Sequence, residues 1–197
     1  MSEDRLERQI DFILEIDRLK SIERRTYLTD TSRFENSAEH SWHIAVMALV
    51  LAEHANQPDI DLLKVIRMLL IHDLVEIDAG DTFAYDTAGL ADKQSREQAA
   101  AERIFLLLPP DQAGVFRDTW DEFEARRTPE AVFAAALDRL QPMLHNLFTR
   151  GKAWREHGIK KDQVMNVNRH MADGAATLWE YARNGLEEAV VRGDLKE

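Results

Sequence analysis

The chain has 197 residues, of which 45% are hydrophobic and 31% are charged, as in an ordinary globular domain. Its 36 acidic and 25 basic side chains give a formal net charge of −11, which argues against a nucleic-acid polymer as partner. Because the sequence contains no cysteine, disulfides, thiolate metal sites and cysteine nucleophiles are excluded. The N-terminal residues lack a signal-peptide core, and the longest apolar run, residues 44–52, is too short to span a bilayer. We therefore predict a cytoplasmic protein that does not contact a membrane.

Hydrophobic spacing along the chain predicts an all-α fold. Apolar residues at helical spacing around Leu6 and around Ile44 predict two of the helices. No alternating pattern that would predict a strand is found. Two stretches, residues 24–37 and 80–90, are expected to be irregular and to carry function. The main predicted helices cover residues 61 to about 75, 99–108 before Pro109-Pro110, 128–147 and about 162–182. We predict one domain over residues 1–197, with its core at about 5–183.

The predicted helix at 61–75 is apolar nearly all round, yet it ends in His72-Asp73. A central helix would bury this pair, and a buried carboxylate without a partner costs several kcal/mol or more, so a compensating group is expected. The alternative is that the helix simply reaches solvent at residue 72. The dipeptide alone does not decide between them.

A histidine in the first turn of another helix is the next candidate. Asn36 and Glu39 resemble a capping box, which places His40 one turn before Ile44 on the same apolar face. His43 lies one residue off that stripe, and we interpret it as a structural histidine beside Trp42. A single histidine at position 40 would more often be a hydrogen-bonded core residue than a ligand, so the spacing alone makes His40 a candidate and no more.

Asp138 lies in the middle of the apolar helix at 128–147. The preceding turn holds Ala134 and Ala135, which leave space beside the carboxylate. Pro142 cannot donate to the Asp138 carbonyl, so a bend is expected there. The alternative for Asp138 is an ion pair with Arg139 or exposure to solvent.

Together these residues give two imidazoles and two carboxylates from three predicted helices, namely His40, His72, Asp73 and Asp138. Imidazole with carboxylate and no thiolate suits Mn, Co, Zn or Fe. No histidine lies between Asp73 and Asp138, so a second histidine-rich pocket cannot be built from that span. A second ion would depend on Glu76, Asp81 and water, an oxygen-only site of the kind that Mg or Mn prefers.

Three segments resemble the HD-domain metal-dependent phosphohydrolases, in particular the branch of bacterial 5′-deoxynucleotidases. They are ENSAEHSWHIA (35–45), LLIHDLVEIDAGD (69–81) and ALDRLQP (136–142), in the family's order and spacing over roughly residues 5–183. The resemblance implies an HD-type helical bundle in which His40, His72, Asp73 and Asp138 bind the metal. It also implies that Glu76 activates the attacking water.

The resemblance places Arg25 where the family has a substrate-contacting arginine, and Asp81 near the sugar or a second ion. We add Arg33 as a second candidate for neutralising the phosphate and Thr82 as a further substrate-binding candidate. Asp81 is also a candidate catalytic residue beside Glu76. Thr26 departs from the tryptophan of the deoxynucleotidases at this position, so the base and sugar preferences are open. The segment GKAWREHG (151–158) resembles a distinct subgroup with no assigned role. Homodimers are common among relatives, and one is compatible with this chain.

We therefore expect a hydrolase that cleaves the phosphate monoester of a nucleoside 5′-monophosphate or a similar small phosphoester. Its cofactor is expected to be a divalent ion, with Mn, Co, Zn, Fe and Mg all open. One alternative is a mixed-valent di-iron oxygenase of the HD type, against which the missing histidines argue. Another is a nucleotide-binding module without turnover, which would not need Glu76.

Overall fold

Helices account for nearly all the regular structure in residues 3–197, the part of the chain that the computed structural model describes. The α-helices are, in chain order, α1 (Glu3–Ile16), α2 (Ser37–Leu51), α3 (Leu62–Ile71), α4 (Glu76–Ala79), α5 (Lys93–Phe105), α6 (Pro110–Ala125), α7 (Pro129–Phe148), α8 (Lys152–His157), α9 (Lys161–Asn168), α10 (Met171–Gly174) and α11 (Ala176–Val191). Short 3-10 helices cover Asp17–Ser21, Ala52–His54 and His72–Val75. The predicted all-α class is confirmed.

None of the helices in the described residues combines the length and apolarity needed to cross a bilayer. The cytoplasmic location and the homodimer stay predictions, as does the assignment of residues 1–197 to one domain.

A small hairpin interrupts the first stretch that the sequence predicted to be irregular. Strands β1 (Glu23–Tyr27) and β2 (Phe34–Asn36) pair antiparallel, with Glu23 opposite Asn36 and Tyr27 opposite Phe34. The strands are polar and short, so they carry no hydrophobic alternation that a sequence reading could detect. The hairpin determines which side chains of this stretch face the protein interior.

The main core lies where α2, α3 and α7 pack together. Ile44 of α2, Val65 of α3 and Leu137 of α7 are fully buried. Burial of each such side chain stabilises the folded state by about 1.5–3 kcal/mol. The predicted capping box at the start of α2 is confirmed, since the Asn36 side chain accepts from the Glu39 amide at 2.9 Å and the Glu39 carboxylate accepts from the Asn36 amide at 3.1 Å. These caps fix where the buried helices begin.

The start of α7 also follows the sequence prediction. The Thr128 hydroxyl accepts from the Ala131 amide at 3.3 Å, and Pro129 is the first helical residue. The helix continues through Pro142 to Phe148.

The predicted helix at 61–75 differs from the structure at its end. Helix α3 stops at Ile71, and residues His72–Val75 tighten into a 3-10 turn before α4 begins at Glu76. A 3-10 turn winds more tightly than an α-helix, so it changes the directions of the polar side chains that follow the apolar helix. His72, Asp73 and Glu76 are all buried.

A second core cluster joins α1, α5 and α6 through Phe12, Ile104 and Trp120. The Trp120 indole donates to the His72 carbonyl at 3.2 Å and so anchors the 3-10 turn. Helix α5 begins at Lys93, earlier than the predicted residue 99. The two prolines at 109–110 follow the end of one helix and also begin the next, since Pro110 is the first residue of α6.

The predicted helix at 162–182 is divided into α9, α10 and α11. Gly174 ends α10 against α7, where a Cβ would lie 2.3 Å from the Val132 carbonyl oxygen. This close approach depends on a residue distant in sequence, which explains why local spacing missed the break. Buried core residues also continue past the predicted limit of 183, to Leu186 and Leu195.

Candidate metal centre and cleft

Four side chains from three parts of the fold meet at one buried point. His40 comes from the first turn of α2, His72 and Asp73 from the 3-10 turn, and Asp138 from the middle of α7. All four residues are at most 7% exposed. The sequence alternatives of a solvent-exposed helix end at His72 and an exposed Asp138 are therefore wrong.

Short distances join these four side chains. His40 Nε2 lies 3.0 Å from Asp138 Oδ1, and His72 Nε2 lies 3.0 Å from Asp73 Oδ1. His72 Nε2 is also 3.7 Å from Asp138 Oδ1, and His40 Nε2 is 4.0 Å from Asp73 Oδ2. Both imidazoles thus direct the same nitrogen at the same two carboxylates.

The opposite ring nitrogens determine the tautomers. His72 Nδ1 lies 2.9 Å from the Leu69 carbonyl oxygen, which can only accept, so Nδ1 carries the proton. His40 Nδ1 lies 3.1 Å from Gln141 Oε1 and donates to it in the same way. In the neutral imidazoles both Nε2 lone pairs then face carboxylate oxygens. A cation between them removes this repulsion, so the donor set fits a divalent ion.

The electrostatics favour positive charge at this point. Burial alone would lower the pKa of His72, but Asp73 and Asp138 raise it to about 10. Burial opposes ionisation of Asp138, yet Arg139 and the two histidines hold its pKa well below the ordinary value. Burial and Arg24 lower the pKa of His40 to about 4, which keeps this imidazole neutral and available as a ligand.

Gln141 connects the cluster to a second layer that the sequence analysis missed. Its amide nitrogen donates to Glu35 Oε1 at 2.5 Å and lies 3.1 Å from His145 Nε2 and 3.3 Å from His43 Nδ1. Glu35, His43 and His145 are close enough together to hold an ion, but the Gln141 nitrogen already lies between them. We interpret this layer as the support that orients His40, which agrees with the structural role expected for His43.

Glu76 lies beside the cluster and is 5% exposed. Ser37 donates its hydroxyl to Glu76 Oε2 at 2.6 Å. Burial, together with the charges of Asp73 and Asp81, raises the pKa of Glu76 well above its ordinary value. Burial likewise raises the pKa of Asp81, against the influence of Arg24.

The arginine that reaches the cluster is Arg24 and not the predicted Arg25. Arg24 Nη1 donates to Asp73 Oδ2 at 2.9 Å and lies 3.9 Å from Asp81 Oδ1. Arg25 is the next residue of β1, in the part of the strand where the pairing register shifts, and it is exposed although it still lines the cleft. The hairpin and its irregular pairing were not visible in the sequence.

The structure does not bring the predicted Arg33 to the cleft. Its exposed guanidinium pairs with Glu39 at 2.6 Å, outside the residues that line the site. Thr82 does line the cleft, and its hydroxyl accepts from Arg96 Nη2 at 3.2 Å.

His72, Asp73, Asp138 and Glu76 line a cleft of about 340 Å³, whereas His40 is fully buried and does not line it. The second predicted irregular stretch contributes Phe83 and Tyr85, and α8 contributes Trp154. Segment 151–158 is thus part of the wall of the site.

Three further residues of the lining, Arg126, Arg139 and His170, are called the basic wall here. The acidic Glu97 and Glu124 also line the cleft.

A helical bundle that gathers two histidines and two aspartates at one buried point is an arrangement of metal-binding HD domains. The HD domain family model matches residues 16–179. The chain therefore belongs to the HD domain family, and the resemblance seen in its three motifs is confirmed at this level.

Relatives in this family are known by sequence. The human protein named 5′-deoxynucleotidase HDDC2 is 29% identical over 136 residues, which are 68% of this chain and 65% of the human protein. The match thus spans slightly less than two thirds of that relative. The Schizosaccharomyces pombe 5′-deoxynucleotidase hdd1 is 24% identical over 144 residues, which are 71% of this chain and 70% of the yeast protein.

Solved structures share the fold. A protein from Magnetospirillum magnetotacticum MS-1, described as a predicted metal-dependent phosphohydrolase, is 53% identical and superposes with a TM-score of 0.94 over 99% of this chain and 97% of its own. A conserved hypothetical protein from Pyrococcus furiosus is 23% identical, with a TM-score of 0.61 over 91% of this chain and 98% of its own, and supports the fold alone.

Proposed function

We propose that the protein is a metal-dependent phosphomonoesterase that releases phosphate from a nucleoside 5′-monophosphate or a similar small phosphoester. The observation that carries the proposal is the convergence of two imidazole Nε2 atoms and two carboxylates beside a buried glutamate and a buried arginine in one cleft. The names of the human, yeast and Magnetospirillum proteins support the same class of reaction.

In this proposal His40, His72, Asp73 and Asp138 hold the ion. A divalent ion at such a site lowers the pKa of a bound water and neutralises a phosphoryl oxygen. Asp73 is also the partner of Arg24 at 2.9 Å, so the ligand set and the arginine are oriented together. The Gln141 layer holds His40 in the tautomer that leaves Nε2 free.

Glu76 is the proposed general base. A carboxylate whose pKa is raised by burial accepts a proton more readily than an ordinary one. The hydroxyl of Ser37 occupies one lone pair of Oε2 and fixes the orientation of the carboxylate. Asp81, which also lines the cleft, is proposed to contact the sugar and is the next candidate base.

Arg24 is the proposed phosphate-binding residue, in place of Arg25 and Arg33. Its Nη1 donates to Asp73, while Nε lies 3.9 Å from Glu35 Oε2 and makes no hydrogen bond in the described residues. A guanidinium held at one end and free at another can contact the non-bridging oxygens of a phosphate. Arg25 and Thr82, which line the cleft further out, are proposed to contact the rest of the substrate.

The two alternatives are less well supported. A di-iron oxygenase needs further histidine ligands, and in residues 3–197 the other histidine group has the Gln141 nitrogen at its centre. A binding module without turnover would have no use for a buried, activated Glu76 beside the ligands.

A phosphate-release screen tests the proposal. Mononucleotides and simple sugar phosphates are incubated with the protein and with Mn, Co, Mg, Zn or Fe(II) in turn, and phosphate is measured. We expect release with at least one ion, and its loss in Asp138→Asn together with the bound metal, whereas His43→Ala keeps the metal. Nucleotide binding by calorimetry without phosphate release under any ion would favour the binding module, and iron-dependent oxygen uptake would favour the oxygenase.

A further inference from the structure

We infer that the cleft contains a second anion site, formed by Arg126 and Arg139 with His170, and that the substrate is a phosphomonoester carrying a second anionic group. This inference rests on the proposed phosphatase function and narrows its substrate class. The second group is a phosphate or a carboxylate, since both match the donor geometry of a guanidinium.

Arg126 is a partly buried cation without a carboxylate partner. Its Nη1 donates to His170 Nε2 at 3.0 Å. Across residues 3–197, no acidic oxygen lies within the 4.0 Å of an ion pair with it. Burial and the nearby Arg139 lower the pKa of Arg126, and the charges of Asp138 and Glu124 offset this only in part. A guanidinium stays ionised even so, and neither carboxylate pairs with it directly, so its donors remain available to an anion.

Helix α6 ends at Arg126, whose φ of 49° lies in the left-handed region, and the Arg126 side chain lines the cleft.

Arg139 extends the basic wall towards the metal centre. Its Nε lies 3.3 Å from Asp138 Oδ2 but in poor hydrogen-bond geometry, so this buried atom has no acceptor in the described part of the chain. Asp138 is also a proposed metal ligand, and its charge is then shared with an ion. Arg139 consequently keeps donors available for a second acceptor.

His170 positions the wall without adding charge. Its Nε2 accepts the hydrogen bond from Arg126, which requires the neutral imidazole. Burial and the two arginines lower the pKa of His170 to about 4, in agreement with this role. The ring thereby fixes one end of the guanidinium and leaves the other end free.

The two anion sites adjoin different carboxylates of the metal cluster. Arg24 contacts Asp73 at 2.9 Å, whereas Arg139 lies 3.3 Å from Asp138. Lys93 also lines the cleft, but it is already paired with Glu97 at 2.9 Å. The scissile phosphate is therefore assigned to the ion and Arg24, and the second anion to the wall of Arg126 and Arg139.

The test compares matched substrates with matched variants. Adenosine 5′-monophosphate is paired with adenosine 3′,5′-bisphosphate, and glycerol 3-phosphate with 3-phosphoglycerate as the carboxylate arm. The variants are Arg126→Gln and, as control, Arg127→Gln, because Arg127 is exposed and does not line the cleft. Phosphate-release kinetics are measured with the ion selected in the screen, and calorimetry measures binding to the metal-free protein.

We expect kcat/KM to be at least about tenfold higher for one of the substrates with a second anion than for its partner. Arg126→Gln should remove most of this preference through KM. Arg127→Gln should behave as wild type. If Arg126→Gln is poorly folded by its melting temperature, Arg126→Lys replaces it and is expected to lose part of the preference, since lysine lacks the planar fork.

Equal kcat/KM and equal affinity for both members of every pair would overturn the second anion site, as would identical behaviour of the two glutamine variants. Phosphate release without any preference would overturn it while leaving the proposed function intact. An affinity preference lost in Arg126→Gln, without phosphate release from any compound, would support the anion site and contradict the proposed hydrolysis.

Discussion

At the scale of single residues, neighbouring arginines on β1 offer a matched comparison. Arg24→Gln should lower kcat/KM for phosphate release by about 10²-fold or more, because it removes a buried charge-assisted contact beside the reacting group. Arg25→Gln should cost about tenfold at most, since Arg25 is exposed. Steady-state kinetics of both variants decide the assignment. A larger loss in Arg25→Gln would return the phosphate to the residue that the sequence indicated.

Glu76→Gln separates chemistry from binding. Glutamine keeps the size of the side chain and can still accept from Ser37, but it cannot take a proton. We expect hydrolysis to fall by about 10²–10⁴-fold while metal content and nucleotide affinity are retained. Single-turnover phosphate release and elemental analysis measure the two effects. Wild-type turnover in this variant would transfer the role of base to Asp81.

At the scale of secondary structure, the contact between α10 and α7 predicts a stability difference between two glycines. A Cβ at Gly174 would lie 2.3 Å from the Val132 carbonyl oxygen, whereas one at Gly114 in α6 would meet nothing within 4 Å. Gly174→Ala should destabilise the protein by about 1–3 kcal/mol or more, because backbone cannot move aside easily. Gly114→Ala should stabilise it by about 0.5–1 kcal/mol. Urea unfolding of the two variants gives both values.

At the scale of the whole molecule, a metal ion and a proton compete for the same atom, Nε2 of His72. His72 has its pKa raised to about 10 in the folded metal-free protein. This raised pKa stabilises the metal-free protein fully below the unfolded pKa of about 6.5, and the stabilisation is lost as pH rises through about 10. Metal binding requires the neutral ring, so the stability gained from an ion should grow from pH 6.5 to pH 9.

Melting temperatures with manganese and with a chelator, measured across this range, test the competition. Asp138→Asn is the control, since it should show no metal-dependent increment at any pH. An increment that shrinks as pH rises would exclude His72 as a ligand.

The sequence predicted those parts of the molecule that depend on local signals. The caps at Asn36 and Thr128 and the spacing of the histidines and aspartates belong to this class. What it missed depends on contacts between distant segments. The contact with Asp73 holds Arg24 inward, and packing on Val132 breaks the last predicted helix at Gly174.

The distance along the chain between His40 and Asp138 has a consequence for assembly. Their side chains are in contact although the two residues are 98 positions apart in the sequence. An ion bound by both would therefore close a loop of that length. Loop-closure entropy makes such a link unfavourable in the unfolded chain and favourable once α2 and α7 have packed. During synthesis, the complete ligand set exists only after residue 138 has emerged and docked. With the proposed ligand set, the ion is therefore expected to bind late in folding. A bound ion would then indicate that α2 and α7 have already packed together.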